Sequence, residues 1–349
     1  MPAKKGKKAP RSASPGQSKT THGSTKRALL RHDAIIKDEL EKFRAAVVES
    51  SQRSLSGVDS QNELTRKALQ AKLEELAAQR TVFVELTRRI DSDKGGDEAK
   101  IKARRNLLKR EKYRFAAHLP ASAKRLEIER HLSSTTSQFT VIQGQTGSGK
   151  STQIPQYAAD MACFAGKRII CTQPRKLAAK ALTARVAYEY SCGWETAQVG
   201  DVVGFRVGGQ FKTSKRTRIE YVTEAVLLDM IARARRGTGE NPFTDVGCII
   251  VDEAHERSII CDLIVGSLKE NHAKWNHVKV AITSATIDLD LFSGFFNNAP
   301  VVEIPGRMFP VKVEYVVSNG QSSGVIEVSK DTLRRWGQKV CIDHQPGLV

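Results

Sequence analysis

The chain has no Cys-x-x-Cys pair, no apolar run long enough to cross a bilayer and no acidic residue before Asp33. Its six cysteines, Cys163, Cys171, Cys192, Cys248, Cys261 and Cys341, are scattered, and four stand in apolar or strand-like surroundings. A disulfide framework or a zinc site needs closer, patterned spacing, so reduced thiols in an intracellular protein are expected. Without an apolar run of about 18 residues no membrane span is expected. No apolar segment at the N-terminus suits a secretory signal. The expected location is the nucleus or the cytoplasm, with the basic N-terminus favouring the nucleus.

What the chain does have is positive charge: 56 Lys and Arg against 38 Asp and Glu give a formal +18 over 349 residues. Such a balance implies a polyanionic partner, most plausibly nucleic acid, although charge alone names no partner class. The length allows two domains, or one α/β domain with extensions. Residues 1–32 hold nine Lys or Arg and no acid. They offer too little apolar area to offset the entropy of ordering, so a disordered basic tail is expected there. Its Lys4-Lys5-Gly6-Lys7-Lys8 suits a nuclear localisation signal, an RNA-binding arm or a solubilising tail equally.

Residues 33–117 read as a helical extension. Ile36, Leu40, Phe43 and Val47 recur at helical spacing, and Leu69, Leu73, Leu76, Phe83, Leu86 and Ile90 mark a longer second helix that stops at Asp91 to Gly96. A helical hairpin or a coiled-coil contact with a partner protein would both fit, and Arg80 interrupts the second repeat. Residues 100–114 carry eight basic side chains and one acid, Glu111. They are either a phosphate-binding helix or a solvated helix face.

From Phe139 onward apolar runs alternate with helical stretches: 139–142, 168–172, 202–207, 219–222, 248–251, 278–283 and 301–304. This alternation specifies βαβ units and an α/β domain whose parallel sheet is covered by helices on both faces, with ligands bound at the carboxyl ends of the strands. The first run leads into Gly144-Gln145-Thr146-Gly147-Ser148-Gly149-Lys150-Ser151-Thr152, which satisfies G-x-x-x-x-G-K-[ST] between a strand and a helix. A chance glycine-rich turn is the plain alternative. As a P-loop, its backbone amides would wrap phosphate, Lys150 would reach the β- and γ-phosphates, and Ser151 would hold Mg²⁺. A second acidic element is then required. Cys248-Ile249-Ile250-Val251-Asp252-Glu253-Ala254-His255 supplies it at a strand end: Asp252 for Mg²⁺, directly or through water, and Glu253 for the attacking water. A solvated acidic turn is the alternative there. The hydroxyls of Ser284 and Thr286, after a third strand, are placed to contact His255 and sense the phosphate state.

Taken together these residues resemble the DEAH-box family of superfamily 2 RNA helicases over roughly residues 118–315. Motif I corresponds to Gly144–Thr152, motif II to Asp252–Arg257 and motif III to Ser284–Thr286. Thr172-Gln173-Pro174-Arg175-Lys176 is similar to motif Ia, and Thr223-Glu224 to motif Ib. The resemblance implies a P-loop NTPase of the RecA-like type at 118–311, with ATP and Mg²⁺ as cofactors and RNA as partner. It implies catalytic roles for Lys150, Asp252, Glu253 and His255, an adenine-stacking role for Arg185, and RNA contacts at Arg175, Lys176, Arg206 and Thr223. On residue chemistry alone Arg175 and Lys176 simply begin a helix, and Thr223 is an N-cap. Ile304 to Val311 resembles the family's exit from its first RecA-like domain, so 312–349 is expected to lead toward a second.

Two departures qualify the resemblance. Ala225 stands where the family has glycine, and no Q-R-x-G-R-x-G-R run occurs. The expectation is therefore an ATP-dependent RNA helicase truncated before its second RecA-like domain, with slow turnover for want of an arginine finger. A non-catalytic ATP- and RNA-binding protein is the alternative, and a DNA helicase a third.

Overall fold

Strands that are apolar on successive residues must be covered on both faces, and the eight-stranded sheet at the centre of this protein is. The computed structural model describes residues 27–38, 40–42, 45, 59–92, 98–191, 198–237, 239–286 and 288–306. Strands β1 (Phe139–Gly144), β2 (Arg168–Gln173), β3 (Val203–Val207), β4 (Gln210–Lys212), β5 (Ile219–Thr223), β6 (Val246–Val251), β7 (Lys279–Ser284) and β8 (Val301–Ile304) lie in the order β4-β3-β5-β2-β6-β7-β1-β8. Every pairing is parallel except β3 with β4.

Neighbouring residues of a strand feed opposite cores. Val141, Ile249 and Val251 join helices α7 (Glu224–Arg236), α8 (Ile259–Glu270) and α9 (Leu289–Phe295) in one apolar cluster. Ile142, Cys248 and Ile250 join α4 (Arg125–Leu132), α5 (Lys150–Asp160) and α6 (Lys176–Tyr190) in the other. Cys171, Cys248 and Cys261 are free and buried, and Cys163 is free and exposed. Strand β4 escapes the hydrophobic pattern because it is three residues long and wholly exposed at the sheet edge. The Gly208-Gly209 turn that joins it to β3, with Gly209 at φ +78°, is the signal that marks it.

Helices α1 (helical at the described residues 27–38, 40–42 and 45), α2 (Asp59–Ser92) and α3 (Glu98–Ala116) precede the sheet. The expected disordered tail is corrected at its end: residues 27–32 are helical, and His32 is buried at 1% exposure. It stacks on Phe115 at 4.4 Å, and Phe115 stacks on Phe83 at 4.1 Å. Of the stripe expected on this first helix, Ile36 is half-buried and Leu40 exposed; Phe43 and Val47, like residues 1–26 and 307–349, lie outside the described residues. Arg80, which breaks the apolar repeat of α2, pairs with Asp33 of α1 at 2.6 Å. The longer helix therefore packs within the chain.

Two side chains of the basic run 100–114 turn inward into ion pairs, while Lys100, Lys102, Arg105 and Lys109 are exposed. Arg110 pairs with Asp160 at the end of α5, and Arg114, 4% exposed, pairs with both Glu111 and Asp160 at 2.7 Å. Arg125 of α4 closes the cluster on Glu111 and Glu129. Burial pushes the Asp160 carboxyl up, but the guanidinium groups of Arg114 and Arg110 outweigh it and hold it at about 2. The helical extension is thus riveted to the sheet domain by buried, mutually satisfied charges. Removing one member leaves the others uncompensated, so Asp160→Asn is expected to lower the unfolding free energy by roughly 3–5 kcal/mol, read by urea titration.

The His32 packing has a pH signature. Burial first, and His118 second, lower its pKa from 6.5 to about 4, with Arg80 acting in the same sense and Asp33 opposing. The unfolded chain takes up this proton below pH 6.5 while the folded chain refuses it until about pH 4. The stabilisation is therefore complete above pH 6.5 and lost as pH falls toward 4. His32→Phe is expected to flatten the dependence of Tm on pH across that window, and an unchanged profile would show that the ring is solvated.

Candidate active site

The sheet order puts β7 between β1 and β6, so the loop after β1 and the acidic pair after β6 emerge on either side of it. The β1 loop turns through Gly147 at φ +80° and Gly149 at φ +94°, values that an L side chain rarely adopts, and Gly149 caps the start of α5. Lys150, 5% exposed, donates to the carbonyls of Gly144 and, at 3.1 Å, Gln145. Burial lowers its pKa, and the carboxylates of Asp252 and Glu253 oppose that shift. The Ser148 hydroxyl is buried without a hydrogen-bond partner. A buried hydroxyl, an ammonium and a glycine-formed helix N-terminus fit a phosphate chain, which would satisfy all three. Ser151 is half-buried, and its carbonyl accepts from Tyr221 Oη at 2.7 Å, which fixes the first turn of α5 to the sheet.

Asp252 is wholly buried at the end of β6. Parallel register brings the ends of β2 and β7 to either side of it, and both send a donor: Gln173 Nε2 to Oδ2 at 2.6 Å, and Thr283 Oγ1 to Oδ1. Its own N–H donates to Thr172 Oγ1 at 3.0 Å. Glu253 follows at φ +57° and Arg257 at φ +47°, bracketing the one-turn helix Ala254–Glu256 in conformations that glycine favours. Strain of this kind costs about 1–3 kcal/mol per residue and gathers at functional sites. Burial raises the Glu253 pKa, Asp252 adds to the rise, and Lys150 and His255 oppose it. His255 Nδ1 lies 3.4 Å from Glu253 Oε2, outside hydrogen-bond geometry.

Other expected residues fall differently. Ser284 donates to Thr286 O at 3.2 Å, and no hydrogen bond joins either hydroxyl to His255. The hydroxyl that reaches the acidic motif is that of Thr283, one residue earlier, and it goes to Asp252. The reason is pleat: residues alternate faces along β7, and Thr283 shares the face of Asp252. A cavity of about 1000 Å³ lies elsewhere, between α2, α3 and α4, walled by the paired Glu111, Arg125 and Asp160. The glycine loop is the better site because its buried Ser148 hydroxyl has no partner and Lys150 is held beside it by backbone carbonyls alone. Among the described residues no cluster of three metal-ligating side chains occurs, so Ser151 and Asp252 would hold Mg²⁺ only jointly with phosphate and water.

A family model for the DEAD/DEAH box helicase matches residues 128–292, the span that contains this loop and this acidic pair. The chain carries a DEAD/DEAH box helicase domain. It is 35% identical over 245 residues to the ATP-dependent RNA helicase HrpA homolog of Haemophilus influenzae, covering 70% of this chain and 17% of that protein. The likeness to the ATP-dependent RNA helicase HrpA of Escherichia coli is 33% over 257 residues, 74% of this chain and 18% of that one. The crystal structure of the Escherichia coli DEAH/RHA helicase HrpB matches with a TM-score of 0.53 at 30% identity, over 65% of this chain and 27% of that chain. The chain therefore spans less than a fifth of the length of the curated relatives named here.

In this helicase domain Arg175 precedes α6 with its side chain 78% exposed, 3.6 Å from Glu256, and Lys176 opens the helix. Thr223 takes the N-cap position of α7 without a side-chain capping bond. Arg206 is held in the sheet by Glu220 at 2.9 Å, and Glu220 also holds Arg168. Arg185 donates to Glu189 at 2.5 Å. The signal that would have found Gln173 and Thr283 in the sequence is their polarity at the ends of otherwise apolar strands, where a buried group must have a partner. Each donates to a buried carboxylate, so Gln173→Leu and Thr283→Val are each expected to cost roughly 1–3 kcal/mol in a urea titration.

Proposed function

We propose that this helicase domain, residues 118–311, binds ATP with Mg²⁺ and hydrolyses it in response to RNA, as the ATPase unit of a DEAH-type RNA helicase. The observation that carries the reading is that Lys150 after β1 and Asp252 and Glu253 after β6 flank the end of β7 closely enough to act on one another's charge, beside a loop whose buried Ser148 hydroxyl has no partner. The amides of residues 145–152 and the Lys150 ammonium bind the phosphates. Ser151 and Asp252 would hold Mg²⁺, which supplies charge neutralisation on the phosphate oxygens when bound. Gln173 and Thr283 keep the Asp252 carboxylate turned to the site. Glu253 takes the proton of the attacking water, and its raised pKa strengthens it as a base. Arg185 stacks on the adenine, and the exposed Arg175, with Lys176 and Thr223, meets the RNA backbone. Arg206, anchored by Glu220 with its side chain 38% exposed, is a further contact with RNA.

The test is ATP hydrolysis by residues 1–349 with single-stranded RNA, with single-stranded DNA of the same sequence, and with neither. RNA-stimulated turnover is expected, reduced by roughly 10²–10⁴ in Glu253→Gln with ATP binding retained. Lys150→Ala is expected to abolish binding. Binding of ATP and RNA without turnover would instead support a non-catalytic binding protein, and equal stimulation by DNA would remove RNA as the specific partner.

A further inference from the structure

A continuous chain of hydrogen bonds runs from the helical extension to Arg185. Arg114 of α3 donates from Nη2 to Gln156 Oε1 at 3.2 Å, with Nε at 3.4 Å from the same oxygen. Gln156, on α5 and wholly buried, donates from Nε2 to Thr152 O at 2.9 Å and to Glu189 Oε2 at 2.8 Å. Gln153 donates to that same carboxylate oxygen at 2.9 Å. The remaining oxygen, Glu189 Oε1, receives Arg185 Nε.

The chemistry of the amide makes this chain directional. Gln156 Nε2 has two hydrogens and faces two acceptors, while its Oε1 faces only the guanidinium of Arg114, so a single orientation satisfies every group. Arg114 therefore fixes which end of the amide meets Glu189. A flipped amide would set oxygen against carboxylate inside the protein. With Oε2 filled by two amides, Glu189, 4% exposed, has only Oε1 left to orient a side chain that is itself 59% exposed. A second contact joins the same elements: the rings of Tyr113 on α3 and Tyr188 on α6 meet edge-on at 6.4 Å, one turn from Arg185.

We propose that Arg114 and Gln156 are positioning residues for Arg185, so that the extension outside the matched helicase domain sets the affinity of the site for the nucleobase. This rests on the reading of Arg185 as the residue that stacks on the base. The relay meets the phosphate-binding segment at the carbonyl and hydroxyl of Thr152, not at its amide, so its effect falls chiefly on ligands that carry a base.

The experiment compares binding of ATP with binding of inorganic triphosphate by the full 349-residue chain, with Tm followed for every variant. Arg185→Ala is expected to weaken ATP by about 3-fold to 30-fold, the range of a cation–π contact, and to leave triphosphate unchanged. Gln156→Leu, which spares the ion pairs of Arg114, and Arg114→Lys are expected to give part of that loss for ATP alone. Neither should add to Arg185→Ala in the double variant. Equal weakening of both ligands, or an unchanged ATP-to-triphosphate ratio while Arg185→Ala alters it, overturns the relay. An unchanged ratio in Arg185→Ala itself overturns the base-stacking reading, and the relay with it.

Discussion

A buried carboxylate is tolerated only where donors meet it, and Asp252 is the point at which this fold meets that condition. The parallel register of β2, β6 and β7 delivers Gln173 and Thr283 to its two oxygens and Thr172 to its amide. If either neighbouring strand slipped by one residue, the polar end would turn to the opposite face and leave the charge unpaired. The sheet that buries the apolar runs and the geometry that aims the acidic pair are thus one structural requirement. The strain at Glu253 and Arg257 follows from it, because the chain must leave a fully buried strand and turn at once.

Helices α1, α2 and α3 belong to the same construction. Arg110 and Arg114 reach Asp160 at the end of the helix that the phosphate loop begins, and Ala121 donates its N–H to Ser148 O inside that loop at 2.9 Å. Gln79 of α2 holds Leu119 O at 3.2 Å, and a side chain on Gly149 would meet Leu119 at 3.2 Å. The back of the loop is therefore built by residues that lie before the matched family region. Arg110 and Arg114, two members of a basic stretch that reads as a ligand surface in one dimension, serve here as cement, since a guanidinium with five donors satisfies several carboxylates at once.

Strands 139–142, 168–172, 248–251 and 301–304 were legible as apolar runs of the right length, and the structure extends several of them by a residue or two. The glycine loop and the Asp252-Glu253 pair were legible for the same reason, since both are contiguous motifs. Strand β4 was not, because three exposed residues carry no hydrophobic signal. The start of α1 and the burial of His32 were missed as well. A histidine among basic residues looks solvated until a phenylalanine 83 residues later stacks on it.

Contiguity is what the sequence by itself determined: the α/β class, the positions of the buried strands, the phosphate loop and the acidic pair, each set by neighbours within a few residues. Tertiary structure alone decided the partners. Thr283 rather than Ser284 or Thr286 reaches the acidic motif because of strand pleat. Arg206, its side chain 38% exposed, is anchored by the buried Glu220, fourteen residues on in a paired strand. Arg114 finds Gln156 across 42 residues, and Gln173 finds Asp252 across 79. Such pairings depend on register and on burial of charge, and neither is a property of any one segment of the chain.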